Sequence, residues 1–166
     1  MKPGNRIRNT IDRIVEWILI ILMVLMLFQV IWQVFTRYIL SDPSSITDEL
    51  SRLLLIWIGI LGASYVMGLK AHLSLTILHN YLTSKTLRKT EILINVIILI
   101  FSITVLIAGG SRLVYVTLTL GQTTASLQIP LGYVYTIIPF SGLLTSYYVI
   151  YDIFNPQTPE HQDAKP

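Results

Sequence analysis

Four long apolar runs divide this chain, and its charged residues gather in the short stretches between them. From Trp17 to Thr36 the run WILIILMVLMLFQVIWQVFT is uncharged. A helix of about 20 such residues, rising 1.5 Å at each, reaches roughly 30 Å, the thickness of a hydrocarbon core. Gln29 and Gln33 sit one turn apart near the end of this run, so they share a helix face and need protein or water partners there. Pro43 breaks the first helix, and Ser45 or Thr47 caps a second whose first turn carries Asp48 and Glu49. That helix then runs uncharged over residues 53–69.

The connection KAHLSLTILHNYLTSKTLRKTE, residues 70–91, alternates apolar and polar positions before turning basic. Leu75, Leu78 and Leu82, with Tyr81 beside them, recur at helical spacing. They predict a short amphipathic helix on the membrane surface, with Lys85, Arg88 and Lys89 among the headgroups. A third run follows from about Ile92 to Ser111, with Gly109 and Gly110 near its end and Arg112 marking an interface. Residues 114–120 are apolar enough to continue this helix. The segment GQTTASLQIP, residues 121–130, reads as a loop, because the apolar stretches on either side of it exceed one span together. In the fourth run Pro139 predicts a kink, and the polar, Pro-rich tail from Asn155 lies outside.

The expected fold is therefore an all-α membrane protein of four transmembrane helices, at about 14–37, 50–69, 91–112 and 131–151, plus an interfacial amphipathic helix within 70–90. Residues 1–13 and 153–166 form an N-terminal segment and a tail. The composition agrees: 53% hydrophobic and only 13% charged residues over 166 positions is too apolar for an ordinary soluble domain. The basic N-terminal residues resemble the start of a signal peptide, but the apolar run is too long and lacks a small-residue cleavage site. Lys2, Arg6, Arg8, Arg13, Lys70, Lys85, Arg88, Lys89 and Lys165 fall on one side of the expected spans, against Arg37, Arg52 and Arg112 on the other. The positive-inside rule then places both termini in the cytoplasm.

The net charge of +3 is accounted for by membrane orientation, and no basic stripe with interleaved aromatics points to nucleic acid. Without cysteine there is no disulfide, thiolate metal site or Cys nucleophile. His72, His79 and His161 lie outside the spans and are too few and poorly spaced for a metal, so no cofactor is expected. Hydrolase, ATPase and metalloprotease motifs are absent, and the chain reads as a non-enzyme. The middles of the spans offer only Gln29, Ser64, Asn95, Ser102, Thr104 and Ser141 as polar groups, which suit hydrogen bonds between helices better than ion or substrate binding. Asp48, Glu49 and Arg52 cluster at the mouth of the second span. Glu49 and Arg52 have the spacing of an ion pair, and the group can act as a helix cap or as a polar handle for a partner. Gly59, Gly62, Ala63 and Ser64 form a small-residue stripe that admits a neighbouring helix, with Trp57 one turn before it.

Four segments carry a resemblance. They are FTRY at Phe35 to Tyr38, DELSRLLLIWIGILGASY at Asp48 to Tyr65, KAHLSL at Lys70 to Leu75, and SLQIPLGYVYTIIPFSG at Ser126 to Gly142. The last includes Leu127, Ile129, Pro130, Tyr135, Pro139 and Gly142. In order and placement they resemble the small membrane subunit, DctQ-like, of tripartite ATP-independent periplasmic (TRAP) transporters, over residues 10–152. The resemblance implies a bacterial inner-membrane complex with a large multi-span transport subunit and a periplasmic substrate-binding protein. It implies sodium-coupled import of an organic acid such as sialic acid, a sugar acid or a dicarboxylate, with this chain as scaffold. Asp48, Glu49, Arg52, Trp57, Gly59, Gly62, Ala63, Pro130, Tyr135 and Pro139 are then candidates for the partner interface, and the surface helix meets lipid. The alternative is a self-sufficient homo-oligomeric transporter or channel with a pore lined by Gln29, Gln33 and Asn95.

Overall fold

In the computed structural model, residues 3–39, 45–69 and 84–154 are described. They form helices α1 (Pro3–Tyr38), α2 (Ser45–Gly68) and α3 (Ser84–Phe101), a π-helical segment (Ser102–Gly109), then α4 (Gly110–Thr119), α5 (Leu131–Tyr135) and α6 (Ile137–Phe154). Four stretches are long and apolar enough to cross a membrane: Arg8–Tyr38, Ser45–Gly68, Lys89–Thr119 and Leu131–Phe154. The expected amphipathic residues Leu75, Leu78, Tyr81 and Leu82 lie outside the described residues. Lys85, Arg88 and Lys89 have helical backbone within α3, continuous with the third span.

Helix ends follow local chemistry. The α4 helix continues about two turns beyond Arg112 and stops at Gly121, whose φ of 60° is the left-handed conformation that glycine adopts without strain. There the Gly121 N–H donates to the Leu118 carbonyl (3.1 Å) and the Gln122 N–H to the Thr117 carbonyl (3.1 Å), a Schellman closure. In the fourth span the helix is interrupted at Thr136, three residues before Pro139, which has no N–H to offer the Tyr135 carbonyl. Thr136 caps the end of α5, and Pro139 falls in the first turn of α6, where an N–H would have no partner within that helix.

The centre of the bundle is α6. It packs on α2 along one side and on α3 and the π segment along the other, while α1 lies on α2 and α5 lies on α4. Of the apolar stretch of the fourth span 39% is buried, against 6–11% in the other three. The first span is the extreme case, with Trp17 at 59% and Phe28 at 70% exposure. A soluble monomer would not tolerate an apolar surface of that extent, and in a bilayer it is ordinary.

Candidate functional site

Between α2, the π segment and α6 the helices meet through hydroxyls and glycines. Ser102 and Ser141 have no exposure. The Ser64 hydroxyl donates to the carbonyls of Ile60 (3.2 Å) and Ser141 (3.3 Å) and accepts from Thr145 Oγ1 at 3.0 Å. On the other side of α6, Ser102 donates to the Gly142 carbonyl (2.7 Å), and Ser146 donates to Ser102 at 3.1 Å. A Cβ on Gly142 would lie 2.8 Å from Leu106 Cβ and from Ile107 Cγ1, so the backbones approach closely only because it is glycine. The π segment is the matching feature on the partner helix. Its wider turn, rare and locally weaker than an α-turn, runs from Ser102 to Gly109 alongside these contacts. Ser64 and Ser102 thus hydrogen-bond between helices as the sequence suggested, whereas the Ser141 hydroxyl donates to the Ile138 carbonyl (2.7 Å) and Thr104 to the Ile100 carbonyl (2.7 Å), each within its own helix. The buried hydroxyls of Ser64, Ser102, Ser141, Thr145 and Ser146 are all hydrogen-bonded.

At the end of the bundle that holds the loop 121–130, Glu49 has the most specific contacts. Its carboxylate accepts three consecutive backbone N–H groups, from Ala125 (2.8 Å), Ser126 (2.7 Å) and Leu127 (2.9 Å). Three donors in a row form a small anion-binding concavity filled by a side chain of the same protein. The loop closes on itself by an isolated bridge between Thr123 and Pro130, with the Thr124 N–H donating to the Ile129 carbonyl (2.9 Å) and the Ile129 N–H to Thr124 Oγ1 (3.1 Å). Glu49 therefore does not pair with Arg52. That arginine reaches Asp48 instead, at 2.7 Å, in a pair whose side chains are 75% and 49% exposed and which adds little stability. Next to it, Gln29 bonds the Thr47 carbonyl and Ser51 Oγ (3.0 Å), and Gln33 Nε2 donates to Asp48 at 3.3 Å. These contacts fasten α1 to α2. Glu49→Gln is expected to free the loop, since a neutral amide loses the charge that three N–H donors favour. A cysteine introduced at Ser126 should then react several-fold faster with a membrane-impermeant maleimide than it does beside the native Glu49.

The opposite end holds a cluster that the sequence reading passed over. Arg8 donates to Asp152 Oδ1 (2.9 Å) and to the Gly68 carbonyl at the end of α2, with Asp12 at 3.8 Å. Its guanidinium lies 4.9 Å from the centre of the Tyr151 ring. Tyr148, only 1% exposed, donates to Asp12 Oδ1 at 2.7 Å and packs in a core with Val15 and Leu144. A Cβ at Gly68 would fall 2.7–2.8 Å from that tyrosine ring. One arginine thus joins the ends of α1, α2 and α6. The signal was available in the sequence: Arg8 and Asp12 are one turn apart, but bases flanking an apolar run read first as orientation signals.

The remaining candidates separate cleanly. Trp57 Nε1 donates to the Val134 carbonyl at 3.1 Å, so it binds α2 to α5 within the chain. Pro130 caps α5, Tyr135 ends it, and Pro139 packs against Gly110, where an added Cβ would lie 3.0 Å from the proline Cδ. Gly59 and Gly62 have nothing within 4 Å of an added Cβ among the described residues, and Ala63 is exposed. The helices of this chain instead meet at Gly68, Gly110, Gly132 and Gly142.

Among the described residues, four membrane-length helices and an apolar exterior define a multi-pass integral membrane protein. The family model for the DctQ component of tripartite ATP-independent periplasmic transporters matches residues 26–158, and the chain belongs to that family. It is 24% identical over 137 residues, 79% of either chain, to the sialic acid TRAP transporter small permease protein SiaQ of Vibrio cholerae serotype O1.

Proposed function

We propose that this chain is the scaffold subunit of a sodium-coupled importer of an organic acid, in the inner membrane with both termini cytoplasmic. It holds a large multi-span transport subunit in place, that subunit and a periplasmic binding protein handle the substrate, and the chain itself carries out no reaction. The observation that carries this reading is the contact between α2, the π segment and α6, where hydroxyls bond to one another and to backbone carbonyls with no charged group among them. An ion-coupled transporter needs an ionisable or hydrated site inside its spans. The relative's name suggests sialic acid as the first substrate to test. Family membership, the direction of the basic residues and the exposed apolar faces of α1 and α4 fit a subunit wrapped in lipid and a larger partner.

A homo-oligomeric pore would be lined by Gln29, Gln33 and Asn95, but the amide nitrogens of Gln29 and Gln33 donate to α2 within the chain. The two readings separate in proteoliposomes. The chain alone should take up no labelled sialic acid under an inward sodium gradient, and uptake should require the large subunit and the binding protein. Uptake by the chain alone would overturn the scaffold reading, and uptake by the full set without sodium would overturn the coupling.

A further inference from the structure

Arg112 is exposed on α4, and among the described residues its side chain makes no hydrogen bond or ion pair. It also lies below the end of its helix. The α4 helix continues about two turns, roughly 10 Å, from Arg112 to Thr119. The neighbouring helix gives the same depth. Gly110 packs on Ile138 and Pro139, which stand about two turns inside the fourth span from Leu131. An uncompensated guanidinium at that depth is costly, and such residues occur where something pairs with them.

Lipid phosphate is a poor match. Side chains on an α-helix tilt toward its N-terminus. In α4 that direction leads from Arg112 toward Gly110 and the middle of the span, away from the nearer membrane surface. A second copy of the chain is also a poor match. Among the described residues, Asp48 and Glu49 are engaged by Arg52 and by the loop, and Asp12, Glu16, Glu91 and Asp152 lie toward the opposite end of the spans. The surface around Arg112 suits a close helix: Ala108 and Gly109 beside it are exposed, and a Cβ on Gly109 would meet only Thr104 O at 3.6 Å.

We infer that the face of Ala108, Gly109 and Arg112 is the seat for a membrane-spanning helix of the large transport subunit, and that this helix presents an Asp or Glu carboxylate to Arg112. The inference rests on the scaffold reading above and adds the docking face and the chemistry of its partner. Small residues permit the approach, and the ion pair fixes depth and register.

The test expresses the full chain with its large subunit, places a benzophenone amino acid at Ala108, and uses Gly62 and Phe28 as comparison positions. Ala108 should cross-link to the large subunit and the other two positions should not. Arg112→Glu and Arg112→Leu should each lower copurification of the large subunit by about tenfold or more, while Arg112→Lys retains most of it. Unchanged size-exclusion profiles of the isolated variants would show that folding is not the cause. Cross-linking from Gly62 but not Ala108 would move the interface to α2 and overturn the inference, leaving the scaffold reading intact. Cross-links only to lipid or to a second copy, with normal copurification of the Arg112 variants, would overturn it as well. If the native chain copurifies no larger subunit, the scaffold reading itself fails.

Discussion

Gly142→Val is expected to lower the unfolding midpoint of the isolated chain sharply, and Gly62→Val is expected to leave it unchanged. Both replace glycine by the same β-branched residue in a helix, so intrinsic propensity nearly cancels between them. Space does not. At Gly142 the first added carbon already falls 2.8 Å from Leu106 Cβ and 3.2 Å from the Ile107 backbone nitrogen, so the π segment must move as a whole. Overpacking of this kind costs about 1–3 kcal/mol, and separating the helices also lengthens the 2.7 Å bond from Ser102 to the Gly142 carbonyl. By contrast, Ser102→Ala removes only hydroxyl bonds that in membrane proteins average about 0.6 kcal/mol each, so packing outweighs hydrogen bonding at this contact. At Gly62 nothing stands within 4 Å among the described residues. Tryptophan fluorescence during heating in mild detergent reads both variants. Equal midpoints for Gly142→Val and the native chain would show that α6 does not sit against the π segment as described.

The same contrast shows what a sequence of this kind discloses. Spans are legible because a bilayer demands about 20 apolar residues in a row, and the Gln29–Gln33 spacing foretold a shared polar face that the structure fills with Thr47, Asp48 and Ser51. Which small residues face a neighbour is not legible. The Gly59, Gly62 and Ala63 stripe is denser than the scattered Gly68, Gly110, Gly132 and Gly142, yet the latter make the close contacts. The exteriors of such helices are as apolar as their interfaces, so periodicity carries no inside and outside. The π segment left no mark either, since its register depends on what packs beside it. Glu49 was misread for a different reason. Spacing along one helix suggested Arg52, whereas the stronger site, three converging backbone N–H groups, comes from a loop 76–78 residues away in the chain. Local spacing finds local partners only.

These contacts also bear on what the protein is built to do. Glu49 fixes the loop at one end, Arg8 fixes three helix ends at the other, and the glycine contacts lock the middle. Under the proposed scaffold role, tertiary restraints at all three depths would keep this subunit rigid. None of them requires a partner, so the isolated chain should already hold its fold.

Arg8→Leu is expected to be the most damaging single charge removal, at about 3–5 kcal/mol, the range for breaking a buried ion pair by deleting one member. The side chains of Arg8 and Asp152 are 12% and 11% exposed, so solvent screens their 2.9 Å contact only weakly. Without the guanidinium, Asp152 and Asp12 remain as carboxylates in a poorly hydrated cluster, the Gly68 carbonyl loses its donor, and Tyr151 loses the cation beside its ring. Most of the loss should arise from the stranded acids and not from the missing attraction, because a buried pair gains little over apolar groups of like shape. That distinction is testable. Arg8→Leu combined with Asp152→Leu should recover a large part of the unfolding midpoint, and Asp152→Leu alone should cost less than Arg8→Leu, since Arg8 keeps Asp12 and the Gly68 carbonyl. If the double variant is as unstable as the sum of the two single ones, the charges act independently and the cluster does not join α1, α2 and α6 as a unit.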